Sequence, residues 1–308
     1  MDRHIELPSG ISICARVEGH GLPLLLVMGI RLQLVHWPQD LCDALVTAGF
    51  QVIRFDNRDA GLSSTLDHLG SPRLAQLVPF GPAAPAYTLD DMAEDTFGLM
   101  DALELPHAHV VGISMGGMIA QLMALRSPER FRSLSLIMTT AGGIYIPRLD
   151  ALWGLMGPRV ITGPESYADA LVRAQQALRG AGSEPFSEAE LVRMRAVAVA
   201  AWERCPNRSE SAFRRQLAAV LNASDRSERL RELRVPTRVI HGACDPLVPP
   251  RAGQHLAHQI DGADLHLIRG MGHGLPARFR ARIASLVATH ALASESTDPD
   301  SSGGAPAG

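Results

Sequence analysis

Val110-Val111-Gly112-Ile113-Ser114-Met115-Gly116-Gly117 is a β-branched apolar run that breaks into a Gly-x-Ser-x-Gly pattern and leads into helix-compatible sequence as far as Arg126. A serine on a sharp strand-to-helix turn takes a strained backbone conformation, and a Cβ on its neighbours would crowd it. Gly112 and Gly116 remove that crowding, so the stretch reads as a nucleophile elbow with Ser114 at its apex. The pattern is short and built from common residues, so the flanking sequence has to carry the reading.

Toward the N-terminus, Leu24-Leu25-Leu26-Val27-Met28 is a continuous apolar run that ends at Gly29, as suits a strand buried on both faces of a parallel sheet. A helical pattern from Pro38 to Gly49 (Leu41, Leu45, Val46) separates it from a second strand, Gln51 to Phe55, which implies a right-handed parallel crossover. Before these, Ile11, Ile13, Ala15 and Val17 alternate with polar residues after a Pro8-Ser9-Gly10 turn and read as a hairpin. Asp56 to Ala86 reads as loop, and Thr88 with Asp91 forms a capping-box signal for the helix that follows.

Toward the C-terminus, Leu134 to Met138 is another buried strand, and the rhythm then changes to long helical patterns rich in Ala, Arg, Leu and Met. Strands resume at Thr237 to His241 and Asp264 to Ile268, and Ala277 to Leu292 is a last amphipathic helix. The expected organisation is an α/β core over 1–141 and 232–293, a helical insertion over 142–231, and a disordered polar tail over 294–308.

The 308 residues are 46% hydrophobic and 20% charged, enough for one large packed domain. A net charge of −3 without a basic stripe argues against nucleic acid as a partner. The start lacks a basic region leading into an apolar signal core, and no apolar run approaches membrane-spanning length, so a soluble cytoplasmic enzyme without stable membrane insertion is expected. Cys14, Cys42, Cys205 and Cys244 lack C-x-x-C spacing and read as reduced thiols. Neither His107 with His109 nor His255 with His258 has an evident third ligand, so no metal is expected.

In open parallel sheets the ligand crevice lies beyond the carboxyl ends of the strands. Ser114, Asp245 and His273 each follow a strand in that position, as do Gly29 and Ile30. A serine hydroxyl needs a base to take its proton, and the base needs a carboxylate to fix its tautomer. His273 and Asp245 supply these, in the chain order Ser, Asp, His expected of a nucleophile elbow. The backbone N–H groups of Ile30 and Met115 are the candidate oxyanion donors, a role worth roughly 2.7–4 kcal/mol per donor in acyl transfer. The Asp56-Asn57-Arg58-Asp59 run reads as a turn held by Asx-type bonds and an internal ion pair.

These residues, together with Val27-Met28-Gly29-Ile30, Trp37-Pro38 and the run from Phe55 to Ser63, resemble the serine-nucleophile α/β-hydrolase superfamily, in particular the esterase branch that includes aclacinomycin methylesterase. In many relatives a histidine precedes the oxyanion-loop glycine, where this chain has Met28. The resemblance implies the α/β-hydrolase fold, a mostly parallel sheet flanked by helices with a helical cap insertion at 142–231. It also implies cofactor-free hydrolysis of a small-molecule ester through an acyl-enzyme. Cap side chains would then shape the pocket, with Trp153, Met156 and Trp202 as candidates. Dehalogenases and epoxide hydrolases of this fold place Asp at the elbow, so Ser114 argues against them. A perhydrolase, haloperoxidase-type or acyltransferase activity would use the same triad, and a non-catalytic ligand-binding member would keep the fold.

Overall fold

The computed structural model describes residues 1–78, 83–143, 145, 147–156, 161–205 and 209–296. Strands β1 (Arg3–Glu6) and β2 (Ser12–Glu18) form the expected hairpin, and β3 (Leu22–Val27), α1 (Gln39–Thr47) and β4 (Phe50–Phe55) form the expected crossover. Helix α2 (Leu89–Ala102) starts at the Thr88 capping box, where Thr88 Oγ1 accepts from Asp91 N–H at 3.2 Å and Asp91 Oδ2 accepts from Thr88 N–H at 2.7 Å. Strand β5 (Ala108–Ile113) then delivers Ser114 to α3 (Met115–Arg126), and β6 (Phe131–Ile137) follows.

Between β6 and the next strand lies a cap insertion of helices α4 (Leu149–Met156), α5 (Pro164–Leu178), α6 (Glu188–Arg204), α7 (Glu210–Leu221) and α8 (Ser227–Leu230). The core resumes with β7 (Thr237–Gly242), α9 (Pro250–Gln259), β8 (Asp264–Ile268) and α10 (Ala277–Ser296). Helix α10 carries through Ser294 to Ser296, three residues into the segment expected to be tail; residues 297–308 lie outside the described ones. Continuation costs little there, because Ser294 Oγ donates back to His290 C=O at 2.9 Å and so keeps its hydroxyl satisfied within the helix.

The sheet has eight strands in the order β1-β2-β4-β3-β5-β6-β7-β8, antiparallel at β1/β2 and β2/β4 and parallel elsewhere. Side chains alternate across it, so the sheet has an apolar layer on each face. On one face Leu25, Val27 and Val110 pack with Met92, Leu99, Ile119 and Leu256. On the other, Leu24, Leu26 and Val111 pack with Leu41, Leu45, Ile283 and Val287. Burial of β3 and β5 between both layers explains why their sequences are apolar without alternation. The parallel pairing also sets the carboxyl ends of β3, β5, β6, β7 and β8 along one edge of the sheet, where the candidate residues follow β3, β5, β7 and β8.

Candidate active site

Ser114 has φ 53° and ψ −120°, the strained apex of a strand-to-helix turn. The turn is possible because two backbones approach closely: a Cβ on Gly112 would lie 2.5 Å from Gly116 O, and one on Gly116 would collide with Val27 O. The apex is also tied down. Ser114 N–H donates to Ile137 O at 2.9 Å, and Ser114 C=O accepts from Thr139 Oγ1 at 2.7 Å.

Ser114 Oγ lies 3.1 Å from His273 Nε2, and His273 Nδ1 lies 2.7 Å from Asp245 Oδ2. Asp245 Oδ1 accepts from the N–H groups of Leu247 and Val248, both at 2.9 Å, which leaves Oδ2 for the imidazole. Asp245 is 4% exposed and His273 9%, so the carboxylate acts on the ring with little competition from water. A second buried histidine, His241, sits 3.5 Å from Asp245 Oδ2, but its Nε2 is 2.9 Å from Val248 C=O. Burial lowers the pKa of His241 below the usual histidine value, so at neutral pH it adds no charge beside Asp245.

The histidine loop is gripped from the cap. His273 N–H donates to Leu178 C=O at the end of α5, 2.8 Å away. On the opposite side, a Cβ on Gly29 would lie 3.4 Å from Ser114 Cβ, so the turn after β3 abuts the nucleophile. Among the described residues neither Ile30 N–H nor Met115 N–H has a protein acceptor, and Met115 N–H is one of the orphan donors at the start of α3. Both N–H groups are therefore left without a protein acceptor close to Ser114 in the fold, Met115 as the next residue in the chain and Ile30 one residue past the Gly29 that abuts the serine.

Ser114, His273 and Ile30 line a cavity of about 600 Å³ between the sheet and the cap, together with Met28, Trp37, Leu171, Phe186, Met194 and Val197 among others. Of the cap residues expected in the pocket, Trp153 points to solvent, 71% exposed. Trp202 packs on Tyr167 with ring centroids 5.6 Å apart, inside the cap. Neither lines the cavity, and the side chain of Met156 lies outside the described residues. The Asp56 to Asp59 run is a structural turn, but its ion pairs reach outward rather than closing within it. Arg58 pairs with Asp95 of α2 at 2.6 Å, Asp59 with Arg215 of α7 at 2.7 Å and Asp56 with Arg204 of α6 at 2.6 Å.

A family model described as the alpha/beta hydrolase fold matches residues 20–276. The chain belongs to the α/β-hydrolase family. This α/β-hydrolase is 31% identical over 297 residues to rhodomycin D methylesterase DauP of Streptomyces sp. (strain C5), and 30% identical over 297 residues to rhodomycin D methylesterase DnrP of Streptomyces peucetius. Each alignment covers 88% of this chain and 91% of the relative. Among solved structures, the meta-cleavage product hydrolase CumD of Pseudomonas fluorescens IP01 superimposes with a TM-score of 0.69 over 94% of this chain and 96% of that one, at 23% identity, a likeness of fold. The α/β-hydrolase is thus an enzyme of the hydrolase class on the esterase branch, and no described helix is long and apolar enough to cross a membrane.

Proposed function

We propose that this α/β-hydrolase cleaves a small-molecule carboxylic ester through an acyl-enzyme on Ser114. Ser114 Oγ attacks the carbonyl carbon as His273 Nε2 takes its proton, and the negative charge that forms on the carbonyl oxygen is met by the N–H groups of Ile30 and Met115. The C–O bond to the alcohol then breaks, and the alcohol leaves with the proton held by His273. Water attacks the acyl carbon, gives a proton to His273, and Ser114 departs with that proton as the acid is released. Asp245 keeps the imidazole in the tautomer that makes both transfers possible.

The observation that carries this reading is the unbroken chain from Ser114 Oγ through His273 to Asp245 at 3.1 and 2.7 Å, opening on a cavity beside two free backbone donors. The cap, taken as residues 142–231, supplies one wall of that cavity. Its mostly apolar lining and volume of about 600 Å³ favour an ester with a bulky apolar acid portion, in keeping with the methylesterase relatives.

A fluorophosphonate should label Ser114 stoichiometrically, and Ser114→Ala should lose at least about 10⁴-fold in kcat. A Ser114→Ala protein that hydrolyses esters at the parental rate would sink the assignment. On a panel of p-nitrophenyl esters, kcat/KM should climb from acetate to medium-chain or aromatic acyl groups. A profile that falls from acetate onward would remove the cavity from the acyl side of the substrate.

A further inference from the structure

Ile30 N–H can hold an oxyanion only if the Gly29–Ile30 peptide keeps its orientation, and the peptides on either side of it are each pinned by a buried side-chain amide. Upstream, Met28 C=O accepts from Asn57 Nδ2 at 3.0 Å. Downstream, Arg31 N–H donates to Gln216 Oε1 at 2.7 Å. Arg31 has φ 69°, a left-handed conformation that a side chain rarely adopts, so something must hold it there. Gln216 lies 185 residues away on cap helix α7 and is fully buried. Its Nε2 donates to Arg58 C=O at 2.8 Å, beside Asn57, so a closed circuit runs from the cap through both pinned peptides and back. Helix α7 holds the Arg31 side chain as well. Its guanidinium sits 4.8 Å above the Phe213 ring and pairs with Glu210 at 3.3 Å.

We infer that Gln216 is a positioning residue for the oxyanion donor Ile30 N–H, so that stabilisation of the transition state depends on how α7 of the cap is seated. This rests on the acyl-enzyme reading above. The ground-state ester carbonyl draws far less on that donor than the oxyanion does, so the loss should fall on kcat rather than on KM.

The test compares Gln216→Met, which keeps the length of the side chain but neither hydrogen bond, with Gln216→Glu, which keeps an acceptor for Arg31 N–H. Active sites are counted by fluorophosphonate endpoint labelling. Gln216→Met should lose about 10- to 100-fold in kcat per labelled site with KM within about threefold, and Gln216→Glu should stay within about fivefold of the parent. Should Gln216→Met not give soluble protein, Gln216→Asn, too short to reach Arg31, carries the same expectation. Unchanged kcat per labelled site, with only the active fraction reduced, would make Gln216 a purely structural residue and overturn the inference. A rise in KM at constant kcat would overturn it too, by making Gln216 a determinant of substrate binding. If instead Ser114→Ala retains parental activity, the acyl-enzyme reading itself falls and this inference with it.

Discussion

In the proposed mechanism Ser114 draws its reactivity from neighbours that act through their backbones as much as through their side chains. Met115 is the clearest case, since its N–H has no acceptor among the described residues while its side chain is buried in the core layer with Ile119 and Leu136. Met115→Leu keeps the donor and nearly the same volume, so kcat should stay within about threefold of the parent. A collapse of turnover in a folded Met115→Leu enzyme would move the second donor elsewhere. Ser114, Asp245 and His273 were legible in the sequence because each stands just past a strand, with Gly112, Gly116, Gly272 and Gly274 marking two of the turns. Thr139, Asn57 and Gln216 were not. They act on the main chain of residues 25, 29 and 185 positions away, and nothing local to a threonine, asparagine or glutamine announces such a partner. The pocket tryptophans failed for a related reason: periodicity shows that a helix has two faces but not which of them meets the cavity, and Trp153 took the solvent side.

Helix α7 shows how much of the cap's seating is electrostatic. Its sequence, Glu210 to Leu221 with arginines at 214 and 215, reads as an ordinary amphipathic helix, yet Arg215 is 1% exposed. Arg215 binds Asp59 through Nε at 2.8 Å and Nη2 at 2.7 Å, reaches Asp67 at 2.9 Å, and donates to Gly70 C=O at 2.7 Å. Tyr87 completes the cluster by donating its hydroxyl to Asp59 at 2.8 Å; burial, with the Asp59 charge beside it, pushes the phenol far above its usual value, so it remains a donor. Arg215→Met would leave the Asp59 carboxylate buried without its counter-ion, a change that costs about 3–5 kcal/mol. Urea unfolding followed by circular dichroism should register a loss of that size. A shift below about 1 kcal/mol would mean that Asp59 can find water or another partner when Arg215 is gone. The strands of the core were legible because apolar runs and crossovers constrain one another. The contacts between cap and core were not, because a buried arginine and a surface arginine look alike until the partner carboxylate is located in space.

At the scale of the whole molecule, the sheet carries an apolar layer on each face, and histidines are buried within or against that structure. His109 of β5 is 1% exposed, with Nδ1 2.9 Å from Ser133 Oγ and its ring set edge-on to Phe50 at 5.6 Å. Burial, with a smaller push from His290, lowers its pKa from 6.5 to about 4, even with the Glu295 carboxylate 3.3 Å from Nε2. Burial also moves His241 and His290 below the usual histidine value. The sign follows from proton counting. Between about pH 4 and 6.5 the unfolded chain protonates His109 while the folded chain keeps it neutral, and His241 and His290 shift in the same direction, so the unfolded state binds more protons and stability falls as the pH falls. For His109 alone a depression from 6.5 to about 4 corresponds to on the order of 3 kcal/mol once both states are fully protonated. The stability measured by urea unfolding should therefore be flat from pH 8 to 7 and decline steadily from pH 6.5 toward 4. Replacing His109 by Gln, which cannot take up a proton there, should flatten part of that slope whatever it does to stability at pH 8. Parallel curves for His109→Gln and parent across this window would show that His109 protonates equally in the folded and unfolded chains, and would assign the acid loss to other groups.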